Sequence, residues 1–291
     1  MGKVALVLGG GGSKGAFQVG AEKYAREEKG YKWDVIAGVS VGALNGALLA
    51  MEEYKRLEAI WKTICDNKVY TGKLNLWTYF KLFRGAKSVY GNEPLARIID
   101  REVDPEKFKV DFRVGTVSLR TGRYTLYHHD SPDIKKAILA STVMPILWPP
   151  MAVSDECQDM VDGSLRRFSP IGDVLDQDPA EVFIINCRPR HPTPVTQEFH
   201  NVLDIGIRTI AIAGNEIFTS DISEFIHINR SVEETEKAGV TLTNVKGKPY
   251  KWYKYTIIEP KEPLGQMLDF SRENVERTKE LGWKRAKEVL G

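Results

Sequence analysis

The chain has 291 residues, of which 42% are hydrophobic and 27% charged, and its formal net charge is only +2. This is ordinary globular composition, and the length suits one large domain or two small ones. A nearly neutral chain lacks the basic footprint of a nucleic-acid-binding protein, so we expect no nucleic-acid partner. The three cysteines are odd in number and form no Cys-x-x-Cys pair, which argues against a disulfide framework or a structural zinc site.

The sequence gives no sign of a signal peptide or a membrane span. The apolar stretch at the N-terminus is too short for the hydrophobic region of a signal peptide. The longest weakly polar stretch, Ile36 to Met51, is interrupted by glycines and Asn45 and is too short to cross a bilayer. We therefore expect a cytoplasmic protein whose contact with a membrane, if it has one, is peripheral.

The first 54 residues alternate between strand and helix patterns. Val4 to Leu8 and Asp34 to Val39 are short apolar runs, typical of buried parallel strands. Helical patterns follow each of them, over Ala16 to Glu28 and over Val41 to Tyr54. This alternation predicts an α/β fold with a mainly parallel sheet covered by helices on both faces.

Further elements continue this pattern towards the middle of the chain. Phe112 to Ser118 and Arg123 to His128 read as a hairpin that turns at Thr121 and Gly122. A short helix over Ile134 to Ser141 and a brief strand over Gln158 to Val161 follow, and Val182 to Asn186 is a further buried strand.

We interpret residues 1–291 as a single domain, because no convincing linker interrupts them. Glu198 to Ser220 is predicted to be a helix, and residues 262–291 a C-terminal helical segment. Trp252 to Ile258 is predicted to be an edge hairpin or an outer strand. Residues 65–92 interrupt the α/β pattern and are interpreted as a cap-like insertion.

Aromatic and basic residues alternate within the insertion, between Tyr70 and Tyr90. Such a mixture suits transient contact with a membrane surface or a micelle. The alternative is that the same aromatic residues pack onto the fold as a small cap.

A glycine-rich loop follows the first strand and precedes a helix. Gly10, Gly12 and Gly15 fit the Gly-x-Gly-x-x-Gly fingerprint of dinucleotide-binding proteins, which leaves a nucleotide-binding module as one interpretation. The second strand begins rather than ends with its acidic residue, Asp34, and Lys14 is not followed by Ser or Thr as a phosphate loop requires. Backbone N–H groups of such a loop can instead stabilise an oxyanion.

A candidate nucleophile lies at the turn after the second strand. Gly38-Val39-Ser40-Val41-Gly42 is a Gly-x-Ser-x-Gly sequence between a predicted buried strand and a helix. In this setting the serine occupies a strained turn and its hydroxyl is presented above the edge of the sheet.

A serine nucleophile needs a base, and a strand-end aspartate is the best candidate. Asp162-Gly163 combines a carboxylate at the end of a strand with a glycine turn, where α/β active sites assemble. An Asx turn without catalytic role is the alternative. No histidine stands in an obviously catalytic loop; the five are His128, His129, His191, His200 and His227.

Taken together, these motifs resemble those of the patatin-like phospholipases, a family of lipid acyl hydrolases. Gly10 to Gly15 is similar to the family's oxyanion loop, Gly38 to Gly42 to its nucleophile elbow, and Asp162-Gly163 to its Asp-Gly motif. Ala140 to Pro150 is similar to a further stretch of the family. The order and spacing of the motifs cover about the first three-fifths of the chain.

The resemblance implies a three-layer α/β/α fold and a Ser–Asp dyad that cleaves lipid acyl esters without a metal or another cofactor. It implies that Ser40 is the nucleophile and Asp162 the base, in turns shaped by Gly38, Gly42 and Gly163. The implied oxyanion donors are the N–H groups of Gly10, Gly11, Gly12 and Val41. Lys14 would orient the loop or contact a lipid headgroup.

Two further interpretations remain open on the sequence. The same dyad would serve a hydrolase or transacylase acting on soluble esters or thioesters. An inactive relative could serve as a lipid-binding effector, although the intact Ser40 and Asp162 argue against this.

Overall fold

The sheet at the centre of the molecule is mainly parallel, as the alternation of strand and helix predicts. The computed structural model describes residues 2–72, 84–191, 194 and 198–291. Its seven strands are β1 (Val4–Leu8), β2 (Val35–Gly38), β3 (Asp111–Ser118), β4 (Tyr124–His128), β5 (Met160–Asp162), β6 (Glu181–Ile185) and β7 (Lys254–Ile258).

The strands are arranged in the order β4-β3-β2-β1-β6-β7, and β5 pairs with β3. In this spatial order, the strands β3, β2, β1, β6 and β7 are parallel to one another. The strands β4 and β5 are both antiparallel to β3. The predicted hairpin is thus confirmed as β3 and β4, and the predicted outer strand is β7 at the far edge.

Both faces of the sheet are buried at its centre, which explains why β1 is continuously apolar rather than alternating, whereas the edge strands β4 and β7 are partly exposed. In β1, Leu6 and Leu8 contribute to one hydrophobic cluster and Ala5 and Val7 to another. The described helices that cover these faces are α1 (Gly15–Lys29), α2 (Val41–Ala50), α3 (Tyr54–Thr63), α4 (Asp66–Val69), α5 (Glu93–Glu102), α6 (Ile134–Ser141), α7 (Val202–Lys237) and α8 (Arg272–Leu290).

Two helices differ in extent from the sequence prediction. The helix expected over Val41 to Tyr54 ends at Ala50, because Glu52 adopts a positive φ of 58°, and a separate helix, α3, begins at Tyr54. The helix expected to end at Ser220 continues to Lys237, since Phe225 and Val232 keep one face of α7 buried while the other becomes charged. Beyond Ser220 the charged residues weaken the apolar periodicity of the sequence, although the buried face of the helix continues.

The C-terminal helix α8 packs directly against α1 through two glycines. A Cβ atom at Gly20 would overlap the Lys279 carbonyl oxygen, and one at Gly282 would overlap the Phe17 carbonyl oxygen. The backbones of the two helices therefore approach more closely than any larger residue allows. Within the predicted segment 262–291, the described helix is Arg272–Leu290, and residues 263–271 form a non-helical loop.

None of the helices in the described part of the chain has the length and apolarity needed to cross a membrane.

We expect Gly20→Ala and Gly282→Ala each to lower the free energy of unfolding by about 1–3 kcal/mol, the usual cost of overpacking. Urea unfolding followed by circular dichroism measures this change. Gly214→Ala is the matched control, because Gly214 is also helical and its nearest neighbour would lie 3.8 Å from the new Cβ. The control should be neutral or gain about 0.5–1 kcal/mol. Unfolding of both test variants at wild-type denaturant concentrations would contradict the close α1–α8 contact.

Candidate active site

Ser40 occupies a sharp turn between β2 and α2. Its backbone has φ 55° and ψ −130°, a strained conformation for a residue with a side chain. The flanking glycines are required by close approach, because a Cβ at Gly38 would overlap the Gly42 carbonyl oxygen and one at Gly42 would overlap the Leu8 carbonyl oxygen. The Gly-x-Ser-x-Gly sequence thus forms the predicted elbow.

A buried serine from α6 holds the elbow in position. The Ser40 N–H donates to Ser141 Oγ at 3.0 Å, and the Ser141 hydroxyl donates to the Gly115 carbonyl oxygen at 2.7 Å. Ser141 is fully buried and therefore links the strained turn to the middle of β3. Its position was part of the sequence motif, but its bridging role could not be inferred from the sequence.

The sheet brings Asp162 beside Ser40 because β2 and β5 share one edge of β3. The other edge is occupied by β4, which pairs with Arg113 to Val117. Gly38 at the end of β2 pairs with Val114, and Asp162 in β5 pairs with Thr116, two residues further along. Asp162 therefore lies where β2 would have continued, next to the turn that contains Ser40.

The Asp162 carboxyl is buried with one oxygen free. Its Oδ1 accepts a hydrogen bond from the Ser164 N–H at 2.8 Å, whereas Oδ2 has no hydrogen-bond partner within 3.5 Å among the described residues. Burial raises the pKa of Asp162 to about 6, and the Ser164 N–H and the nearby Ser40 hydroxyl oppose this shift. A carboxyl with this pKa is a better proton acceptor for an alcohol than an ordinary aspartate.

Two elements supply the expected backbone donors, the glycine loop after β1 and the start of α2. The N–H groups of Gly11, Gly12 and Val41 have no acceptor among the described residues, whereas the Gly10 N–H donates to the Phe168 carbonyl oxygen at 3.3 Å. Gly10 is nevertheless close, because a Cβ there would lie 3.2 Å from Ser40 Cβ. Of the four expected donors, three are free to bind an oxyanion, and Gly12 and Val41 line the same cavity as Ser40.

The loop before α8 anchors the glycine loop, a contact that sequence reasoning missed. The Ser13 N–H donates to the Met267 carbonyl oxygen at 2.8 Å, and the Ser13 hydroxyl donates to the Gln266 carbonyl oxygen at 3.0 Å. Gly12 has a positive φ of 60° and abuts Met267. These partners are separated by more than 250 residues, so no local sequence signal could have indicated the contact.

A buried polar network supports the same loop from below. The Gln18 side-chain amide donates to the Gly9 carbonyl oxygen at 2.7 Å and accepts from the Asn45 amide at 2.9 Å. Trp61 Nε1 in turn donates to Asn45 Oδ1 at 2.8 Å. Fully satisfied buried networks of this kind hold their members in one arrangement.

An apolar cavity opens from Ser40 and Asp162 into the layer of α2, α3 and α5. It has a volume of about 90 Å³. No histidine lies among its described lining residues. The apolar side chains that form it include Leu44, Leu48, Leu57, Ile60, Trp61, Ile64, Val69, Leu95, Ile99, Met144, Trp148, Met267, Leu268 and Phe270.

One other expected feature lies apart from this cavity, and another falls largely outside the described residues. Lys14 lines a different cleft with Cys187 and Arg188. Much of the aromatic and basic insertion, residues 73–83, lies outside the described residues, although Tyr70 and Tyr90 are described and their ring centroids are 4.9 Å apart. The described residues contain no group of three or more His, Cys, Asp or Glu side chains that could hold a metal ion.

We expect Asp162→Asn to raise the free energy of unfolding by about 2–3 kcal/mol at pH 8, because each unit of pKa shift corresponds to about 1.4 kcal/mol. The folded-state pKa of about 6 lies above the ordinary 3.8, so the favourable contribution of the protonated carboxyl is complete below pH 3.8 and is lost as pH rises through about 6. The stability gained by Asp162→Asn over the wild type should therefore vanish near pH 4.

Urea unfolding at pH 4, 6 and 8 measures the effect, with the exposed Asp155→Asn as control. A gain that is independent of pH, or a loss of stability at pH 8, would show that the buried carboxyl is not destabilised as inferred.

Comparison with known proteins places these features in a family. Residues 6–175, more than half of the chain, match the family model described as patatin-like phospholipase. Lysophospholipase nte1 of Aspergillus terreus is 30% identical over 172 residues, and so is the same-named protein of Aspergillus niger. The match covers 55% of this chain but only 10% of either relative.

A solved structure supports the fold assignment. VipD from Legionella pneumophila superposes with a TM-score of 0.50 at 13% sequence identity, over 99% of this chain and 66% of that chain. The dinucleotide-binding interpretation of the glycine loop has no support from these relatives. With the family model spanning the strand, elbow and Asp-Gly motifs, the chain belongs to the patatin-like phospholipase family.

Proposed function

We propose that this chain is a lipid acyl hydrolase, a carboxylic ester hydrolase that uses Ser40 as nucleophile and Asp162 as base. The observation that carries the proposal is that a buried carboxyl with a free Oδ2 and a strained serine line the same apolar cavity. Perturbed titratable groups at a cavity are typical of catalytic sites.

In the first step, Ser40 Oγ attacks the ester carbonyl carbon while Asp162 Oδ2 accepts the hydroxyl proton. The carbonyl oxygen becomes an oxyanion, which the N–H groups of Gly11, Gly12 and Val41 can stabilise. One such donor is worth roughly 3–4 kcal/mol in serine hydrolases. As the tetrahedral intermediate collapses, the proton on Asp162 passes to the departing alcohol and the acyl group stays on Ser40.

In the second step, water attacks the acyl-enzyme and gives its proton to Asp162. Collapse of the second intermediate releases the carboxylic acid, and the proton returns to Ser40 Oγ. Asp162 therefore acts alternately as base and acid without a third residue, and the hydrogen bond from the Ser164 N–H keeps its carboxyl oriented.

The lining of the cavity favours a long acyl chain over a small soluble ester. Apart from Asn45, Glu102 and Thr142, the cavity beyond Ser40 and Asp162 is lined mainly by aliphatic, aromatic and sulfur-containing side chains. Burial of each methylene contributes about 0.8 kcal/mol. Two relatives are named lysophospholipases, and we propose phospholipids or lysophospholipids as the substrate class. The chain spans only a tenth of the length of those relatives.

We propose that residues 65–92 form a cap over this cavity. Val69 at the end of α4 lines the cavity, and Thr71 and Gly91 pair by reciprocal backbone hydrogen bonds of 2.9 and 3.0 Å. The two ends of the insertion are thereby held together beside the acyl-binding space.

The start of α7 offers an exposed apolar surface for contact with lipid. Ile207 on the inner side of this helix packs against the cluster that contains Trp148 and Met267. Val202 and Ile205 point outward and are 86% and 53% exposed. We propose that this exposed apolar stripe rests on lipid while the enzyme takes up its substrate.

The proposed chemistry predicts one covalent adduct with a fluorophosphonate probe, located on Ser40 by intact-mass analysis and peptide mapping. Ser40→Ala should give no adduct, and Asp162→Asn should label at least about 100-fold more slowly, the range of general-base catalysis. The wild-type labelling rate should rise with pH around a midpoint near 6, because only the ionised Asp162 accepts the proton.

Ser220→Ala, at an exposed serine of α7, is the matched control and should label like the wild type. Folded wild-type protein without an adduct, or equal labelling of Asp162→Asn, would overturn the dyad.

The proposed lipid contact predicts that Val202→Glu combined with Ile205→Glu weakens binding to phospholipid vesicles by about tenfold or more, since a buried aliphatic side chain contributes about 1.5–3 kcal/mol. Vesicle co-sedimentation measures the change in the Ser40→Ala background. Val245→Glu, at a fully exposed position beyond the other end of α7, should bind like its parent. Equal binding of all three proteins would place the lipid contact elsewhere.

A further inference from the structure

A second cleft, with a volume of about 340 Å³, lies beside the glycine loop and shares no lining residue with the acyl cavity. Lys14 enters it from the end of the loop, Arg188 from the segment after β6, and Arg208 from α7. His191 also lines it. Three basic side chains from three separate parts of the chain therefore converge on one depression.

The side chains of this basic cleft are positioned by packing. The Arg188 guanidinium lies over the Phe168 ring, with its central carbon 4.0 Å from the ring centroid. This stacking fixes the plane of the guanidinium while leaving its N–H groups available. Burial lowers the pKa of Lys14, and the positive charge of the neighbouring Arg188 lowers it further. The two cations therefore lie close enough to repel each other.

The basic cleft has an excess of positive charge. Arg190, two residues beyond Arg188, lies 2.8 Å from Glu259 Oε1, but Lys14, Arg188 and Arg208 form no ion pair with any described residue. The segments 73–83 and 192–197 contain no Asp or Glu in their sequence. Glu216 is the one carboxylate among the described residues that line the cleft, and its side chain accepts a hydrogen bond from Ser220.

The buried thiol beneath the cleft does not balance this charge. Burial raises the pKa of Cys187 to about 12, so the thiol remains neutral at physiological pH although Lys14 and Arg188 lie close to it. Partly buried cations without counter-charges favour binding of an anion, and a planar guanidinium with a neighbouring ammonium matches the oxygens of a phosphate group.

We propose that Lys14, Arg188 and Arg208 form a binding site for a phosphate group, supplied by a lipid headgroup or by free phosphate. Because Lys14 directly follows Gly11 to Ser13, an anion at this site would be coupled to the position of the glycine loop. The headgroup source rests on the proposed lipid hydrolase function, whereas binding of the anion itself does not.

Isothermal titration calorimetry with inorganic phosphate and with glycerol 3-phosphate tests the site directly, on folded Ser40→Ala protein that needs no catalysis. Binding should weaken by about tenfold or more in Arg188→Gln, the loss expected for a charge-assisted hydrogen-bonded pair. Arg208→Gln, on the partly exposed face of α7, should weaken binding as well and serves if Arg188→Gln fails to fold. Arg230→Gln is the matched control, because Arg230 lies on the same helix but pairs with Glu234.

Retained binding in Arg230→Gln with loss in either cleft variant supports the site. If the phosphate group comes from a lipid headgroup, glycerol 3-phosphate should bind more tightly than inorganic phosphate. Inorganic phosphate should then inhibit hydrolysis of a lysophospholipid by the wild-type protein, but not hydrolysis of a monoacylglycerol. A free-phosphate source predicts equal binding of both probes and the same change in both hydrolysis rates. No binding of either probe, or wild-type affinity in Arg188→Gln and Arg208→Gln, would overturn the proposal even if fluorophosphonate labelling of Ser40 succeeds.

Discussion

The candidate site depends on how one edge of β3 is divided between two strands. The parallel strand β2 pairs with the first half of that edge and leaves it at Gly38, and the antiparallel strand β5 pairs with the second half and ends at Asp162. Because both strands end against the same neighbour, the serine turn and the carboxylate are adjacent without a connection between them in sequence. We call the place where β2 and β5 end against β3 the junction, and the glycine loop and the apolar cavity lie beside it.

Closely packed backbone and buried hydrogen bonds keep the junction in its strained form. The positive φ of Ser40 would relax if the elbow could move, but the Ser141 bridge to Gly115 and the contact of Gly42 with the end of β1 prevent it. The glycine loop is held in place by the hydrogen-bond network of Gln18 and Asn45 and by the contact of Ser13 with Met267. The candidate catalytic groups are thus positioned by rigid elements, as precise chemistry requires.

Burial has opposite consequences for the two kinds of charged group near the glycine loop. In Asp162, desolvation without a cationic partner raises the pKa and costs folding stability, and the same change creates a proton acceptor close to neutral pH. In the cleft next to it, three basic side chains are gathered with a single carboxylate, Glu216, among the described lining residues, which favours an external anion. The glycine loop separates an apolar space suited to an acyl chain from a basic space suited to a phosphate group.

The sequence by itself determined the order of the seven strands, the turn type around Ser40 and the identity of the candidate dyad, but not the helices α3, α4 and α5. These are local properties: apolar runs, glycine spacing and a carboxylate at a strand end depend on neighbouring residues. The same local signals could not place the end of α7, because its buried face continues under a charged surface stretch.

Only the tertiary structure decided which glycine donors are free, where Lys14 lies and which side chains form the cavity. The Gly10 N–H is bonded to Phe168, Met267 anchors the loop from the C-terminal part of the chain, and Lys14 joins Arg188 and Arg208 in a separate cleft. Such contacts join residues far apart in sequence, and their geometry depends on the packing of whole layers. A single sequence contains no periodic or local signal from which they could be read.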